Sequence, residues 1–312
     1  MSKKHTQNII AESRKTLPIT IVYGVGIWLL AGLVNNGWWV QFVCFWASVY
    51  VMIHLNNINL MIRIYSRSVS AAYILLSCIA VWLFPSVTGA VMQLGTTLIL
   101  LLLFASYQDS EARGKTFYMF LILSVMSMLE PHYLLYMPLI WLLMAITVYS
   151  MSIRTFLASI IGLITPYWLY AGWLLFMHPE NPEMVLSLTD RFSEIQWAID
   201  YGALTRAQII YFALLVMLFL IGAFHFWMTS YMDKIRVRQI YTSLIMLTLY
   251  TILLLAVQPQ MYNVLIFVMT IAVSPIIAHF VSLTHTRMSN IFFMVLMAAI
   301  LILTRPDRKS VV

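Results

Sequence analysis

The stretch AQIIYFALLVMLFLIGAFHFWM, residues 207–228, contains no Asp, Glu, Lys or Arg. A helix needs about 20 predominantly apolar residues to cross the hydrocarbon of a bilayer. This run meets that length, and it is too long and too uniformly apolar for a barrel strand, which alternates over about ten residues. In hydrocarbon every backbone polar group must be satisfied within the segment, so a helix is expected.

Similar runs recur along the chain. They fall at 17–34, 38–55, 69–86, 88–107, 116–130, 133–150, 155–177, 239–257, 262–284 and 289–304. The expected fold class is therefore all-α, a polytopic transmembrane helix bundle of about eleven spans, with ten or twelve as alternatives. Composition agrees. Of 312 residues, 62% are hydrophobic and 9% charged, against roughly 25% charged in a soluble domain. The whole chain, 1–312, reads as a single membrane domain.

Charge placement orients the bundle. With the N-terminus in the cytoplasm, the inner segments are 1–16, 56–68, 108–115, 151–154, 229–238 and 285–288. They carry Lys3, Lys4, Arg14, Lys15, Arg63, Arg67, Arg113, Lys115, Arg154, Lys234, Arg236, Arg238 and Arg287, against Glu12, Asp109, Glu111 and Asp233. The short outer loops 35–37, 87, 131–132 and 258–261 have no Lys or Arg. That asymmetry follows the positive-inside rule. Eleven spans leave Arg305, Arg308 and Lys309 on the outer side, against the trend. Residues 1–16 read as a cytoplasmic interfacial segment rather than a cleavable leader. The net charge of +7 is spread over loops, with no basic stripe of the kind that binds nucleic acid. Cys44 and Cys78 both lie in apolar runs and read as small hydrophobes.

The one long connection, 178–206, is expected outside. It holds Glu180, Glu183, Asp190, Glu194 and Asp200 against Arg191 and Arg206, a local charge of −3. Leu188, Phe192, Ile195 and Ile199 recur at helical spacing, so an amphipathic helix on the membrane surface is expected, with Ser187 and Asp190 as its capping box.

Few residues offer chemistry. Glu130 and His132 flank Pro131 at an outer boundary, where an acid beside an imidazole can pass a proton; Asp190 in the outer loop could join them as a catalytic set. The plainer reading is a solvated tight turn. Asn59, Arg63 and Arg67 form the most polar inner junction and are candidates for binding lipid phosphate, although snorkelling side chains would look the same. Pro166 and Pro275 interrupt long apolar runs, and Gly162 lies one turn before Pro166. These three read as helix-break and packing positions. His225 and His279 stand in apolar runs with no H-x-x-x-H spacing and no carboxylate neighbour in sequence, so no metal site is expected. No nucleotide, cofactor or nucleophile motif occurs, and no cofactor is expected.

Asn59…Arg63…Arg67, the cationic turn at Arg154, and Gly162-Leu163-x-x-Pro166-Tyr167 together resemble a family of polytopic inner-membrane proteins of the Bacteroidota, of uncharacterised activity. The resemblance implies a bacterial inner (cytoplasmic) membrane. More remotely, many spans with one outer amphipathic loop resemble lipid-linked sugar transferases and polysaccharide polymerases. The chain departs from the transferase pattern because its first outer loop, Asn35-Asn36-Gly37, has no acid. Three functions follow in order: an accessory subunit of an envelope assembly or secretion complex, a lipid-linked glycan enzyme acting at the outer face, and a transporter using the Pro166 and Pro275 helices. The expected partners are membrane lipids and other inner-membrane or periplasmic proteins.

Overall fold

Apolar runs that cannot bond to water close their backbones as helices, and the computed structural model is helical with no strand among the described residues. Those residues are 5–180, 201–202 and 204–304. The helices are α1 (Thr6–Glu12), α2 (Thr16–Leu30), α3 (Leu33–Asn36), α4 (Trp39–Asn59), α5 (Ser68–Ile79), α6 (Val87–Ala105), α7 (Arg113–Leu129), α8 (Tyr136–Ile146), α9 (Ile153–Met177), α10 (Arg206–Thr229), α11 (Ile235–Val257), α12 (Tyr262–Leu283) and α13 (Arg287–Leu303). Each of the eleven apolar runs overlaps at least one of them.

Six of these helices are long and apolar enough to cross a membrane: α4, α6, α9, α10, α11 and α12. At 24 residues, α10 rises roughly 36 Å, which exceeds a hydrocarbon core of about 30 Å. Others are shorter than their apolar runs, for local reasons. Helix α5 stops at Ile79 because Ala80 leaves helical geometry, and a single 3₁₀ turn, Val81–Leu83, follows before Pro85. Helix α8 starts only after a 3₁₀ turn opened by Pro131.

The centre of the bundle is α12, which packs against α5, α6, α10 and α11. Most of its residues are buried, from Leu265 to His279 without a break. Pro275 sits inside it, and the helix continues through. At the periphery, α9 packs chiefly on α7 and buries only Thr155, Ser159, Gly162 and Leu174. A Cβ built on Gly162 would lie 2.5 Å from the Phe117 carbonyl oxygen, so glycine is what lets the two backbones approach. Leu163 and Tyr167 serve the same seam: Ser124 Oγ donates to the Leu163 carbonyl at 2.6 Å, and the Ser127 and Tyr167 hydroxyls are 2.7 Å apart. Pro166 lies between them, inside a continuous helix.

The six basic segments meet at one end of the bundle. Gln7 Nε2 donates to Thr284 Oγ1 at 2.8 Å, and Ser66 Oγ donates to the Ala11 carbonyl at 2.8 Å. Arg63 pairs with Asp233, and Arg236 bonds Asn59 and the Phe104 carbonyl. Ser152 Oγ reaches the Ser110 carbonyl, and Arg154 pairs with Glu111. The short connections without Lys or Arg lie at the other end, where Gln41 Nε2 bonds the Pro85 carbonyl at 2.9 Å and Gln208 bonds Asn263 at 2.9 Å. Hydroxyl residues cap four of the helix starts, Ser86, Ser152, Thr205 and Thr286; Ser152 forms a capping box with Thr155, and Thr205 forms one with Gln208. The amphipathic helix expected in 178–206, with its Ser187–Asp190 cap, falls largely on 181–200, outside the described residues.

Gly162→Ala should lower the melting temperature of the detergent-solubilised chain, the clash costing about 1–3 kcal/mol. Gly172, in the same helix, has nothing within 4 Å of a built Cβ, so Gly172→Ala should be neutral or stabilising by up to about 1 kcal/mol. Equal effects from the two variants would contradict the close α7–α9 seam.

Candidate functional site

The turn between α10 and α11 is short. A 3₁₀ turn, Ser230–Met232, leads into Asp233, and Lys234 then starts α11 from an extended conformation. This tight reversal turns Asp233 inward. Its side chain is 0% exposed, although Lys234, Arg236 and Arg238 follow it in a basic segment. A buried carboxylate is costly unless it is paired. Asp233 has two partners. His279 Nε2 lies 3.1 Å from Oδ2 within hydrogen-bonding geometry. Arg63 Nε lies 3.0 Å from Oδ1, close enough for an ion pair though not aligned as a hydrogen bond.

His279 lies one turn beyond Pro275 on α12 and is also fully buried. Tyr241 sits edge-on to its ring at 4.8 Å and Phe226 at 5.5 Å, with the His225 ring tilted against it at 5.6 Å. With Nε2 donating to the carboxylate, Nδ1 is left as an acceptor without a partner in an aromatic wall. An acid–imidazole pair with a free ring nitrogen can in principle hold or pass a proton. Here Arg63 compensates the carboxylate, and the pair connects three segments: the α4–α5 loop, the α10–α11 turn and α12.

A second arginine lies beside it. Arg236 Nη2 donates to Asn59 Oδ1 at 2.7 Å and to the Phe104 carbonyl at 3.2 Å, and its guanidinium lies 5.6 Å from the Tyr107 ring centre. Asn59 Nδ2 in turn donates to the Leu55 carbonyl. Asn59 is thus buried and faces the bundle interior.

Of the three residues read as lipid-phosphate ligands, two are engaged with other segments of the chain: Asn59 with Arg236 and Arg63 with Asp233. Arg63 is itself exposed, and Arg67 has only a local partner, its Nε donating to the Tyr65 hydroxyl at 3.3 Å. That bond, more than the nearby charges, holds the exposed Tyr65 phenol below its ordinary value. Along the same end, Arg113 bonds Glu111 at 2.7 Å and holds its carboxyl below the usual carboxylate range, with Arg154 contributing.

Glu130 and His132 meet at the opposite end. Pro131 opens the 3₁₀ turn that brings them together, and His132 Nδ1 lies 2.8 Å from Glu130 Oε1. Both are half-buried. This differs from the solvated turn that the sequence also allowed. Behind them the Tyr136 hydroxyl meets Thr251 Oγ1 at 3.0 Å, and the Tyr133 hydroxyl meets Thr96 Oγ1. The cavity beside these tyrosines holds only about 20 Å³, too little for a substrate. Asp190 lies outside the described residues.

No group of three or more His, Cys, Asp or Glu that could hold a metal occurs among the described residues. Sequence reasoning missed the link between Asp233 and His279, which are 46 positions apart. The available signal was a single acid, Asp233, within the basic segment 229–238. No family model, curated protein or solved structure matches the chain.

Asp233→Asn should destabilise the chain by about 3 kcal/mol, because Arg63 and His279 lose a buried partner. Thermal unfolding in detergent checks this. Paired with Arg63→Gln, the two losses should be far from additive; additive losses would mean that the ion pair contributes nothing.

Proposed function

We propose that the chain is a multi-pass protein of a bacterial inner membrane, with about eleven spans and a cytoplasmic N-terminus. It acts as a non-catalytic accessory subunit of an envelope assembly or secretion complex. The observation that carries this reading is the use made of its buried ionisable groups. Asp233, His279 and Arg236 each bind another segment of the same chain. That is the work of a scaffold, in which charge fixes the relative positions of helices.

Convergence of all six basic segments on one end supports the orientation, since one membrane face would then hold every one of them. Cysteine reporters in a Cys44→Ser/Cys78→Ser background test it. Asn36→Cys should react with an impermeant maleimide supplied from the periplasm, and Ser110→Cys only after the inner membrane is opened. The reverse pattern overturns the orientation. The subunit role predicts a stoichiometric inner-membrane or periplasmic partner on affinity purification in mild detergent. Recovery of the chain alone would reject it.

One observation favours the second reading, a lipid-linked glycan enzyme at the outer face. It is the half-buried Glu130–His132 pair, in which the imidazole is held against an acid. Under that reading Glu130→Gln abolishes surface glycan assembly with the protein at normal abundance. Unchanged glycan would leave the pair with a structural role.

A further inference from the structure

The last helix, α13, is held mainly by α1 and α5. This loose docking leaves a groove of about 320 Å³ between α2, α5, α12 and α13, closed at the basic end by α1. Its wall is apolar, with Leu75 of α5, Val281 of α12 and Phe293 and Ile300 of α13, and the exposed Ile19 stands at its rim. At the basic end the lining changes to Ser13, Thr16 and Ser68.

Those serines locate two cations. Arg14 follows Ser13, and Arg67 precedes Ser68. The segments are tied together by the bond from Ser66 Oγ to the Ala11 carbonyl and by the 2.7 Å contact between the Ser66 and Ser68 hydroxyls. At the same end Arg63, Arg113, Lys115 and Arg154 all have carboxylate partners. Arg14 and Arg67 make no ion pair among the described residues. Arg67 uses only Nε, on Tyr65, which leaves the terminal nitrogens of its guanidinium fork.

An apolar groove whose hydroxyl end is flanked in sequence by two arginines that make no ion pair among the described residues is complementary to an amphiphile with an anionic head. A shaped groove packs an acyl chain that already lies in hydrocarbon, arginine forks bind phosphate oxygens in pairs, and cytoplasmic leaflets are rich in anionic lipid. We propose that this groove binds one acyl chain of an anionic phospholipid, with the lipid phosphate held between Arg14 and Arg67. The proposal rests on the chain being membrane-embedded with its basic end cytoplasmic, which the cysteine reporters test separately.

The experiment uses the full chain in mild detergent, with bound lipid counted by native mass spectrometry. Phosphatidylglycerol and phosphatidylcholine of identical acyl chains are offered together, and glycerol 3-phosphate is the chain-free headgroup. Phosphatidylglycerol should be retained preferentially, and Arg14→Gln/Arg67→Gln should weaken its retention about tenfold. Arg67→Lys should recover part of the loss, as a charge without the fork. Ala72, on the groove wall, gives a second variant: Ala72→Trp should displace the lipid with both arginines intact. Glycerol 3-phosphate should not compete. Equal retention of the two lipids, undiminished retention in the double variant, or competition by the free headgroup would each overturn the proposal. Unchanged helicity and melting of the double variant accompany the supporting result; if it unfolds, Ala72→Trp alone decides.

Discussion

Hydrocarbon offers an amide no water to bond to, and this constraint shapes almost every element of the chain. Backbones close as helices, and side-chain hydroxyls follow the same logic within them. Thr248, Thr251 and Thr270 each donate to the carbonyl four residues earlier, as does Ser274. A hydroxyl satisfied on its own helix needs no partner elsewhere, so it can be carried into the apolar interior at little cost. Charge cannot be hidden this way. Ionisable groups are pushed to the ends of the bundle, where a turn can present them and a neighbour can answer them.

The basic end shows how that is done. Asp233 sits on a turn, where the chain can aim a side chain inward without breaking a helix, and it meets Arg63 from another loop. Only His279 comes from within a helix, near the end of α12. Breaking such a pair leaves an uncompensated charge, which costs more than the pair contributes over an apolar substitute. The cluster is therefore better at fixing a single arrangement of three segments than at adding stability. Arg236 repeats the pattern with neutral acceptors, since Asn59 and a backbone carbonyl share its donors.

Helix content and the gathering of basic segments were legible in the sequence, because apolar length and Lys/Arg placement are local signals. Other features were not. The run 69–86 reads as one span, yet the backbone at Ala80 ends α5 early, and no residue there announces it. The caps at Ser152 and Thr205 carry a readable pattern, a hydroxyl with Thr155 or Gln208 three positions on. The roles of Asn59 and Arg63 were not readable. Whether an arginine near headgroup level faces lipid or protein depends on what the fold sets beside it, and Asp233 lies far along the chain.

The same limit applies to which helix lies at the centre. Helices α10 and α12 are both apolar all round, so neither shows an outward face by its pattern. Yet α12 is buried on nearly all sides, whereas α10 exposes Leu220, Phe224 and Trp227. A difference remains in the small polar residues. Thr270 and Ser274 share one side of α12, Ser282 and His279 lie toward the other, and all are buried. Buried polar residues on two sides of α12 mark protein packed on both, although the Thr270 and Ser274 hydroxyls, bonded to their own helix, do not demand it. Ser68, Ser70 and Ser77 make the same case for α5, also buried along most of its length. In α9 the buried Thr155, Ser159 and Gly162 fall on one side only, and that is the side which meets α7. In these three helices the buried polar residues follow the packing, one-sided on the peripheral α9 and two-sided on α5 and α12.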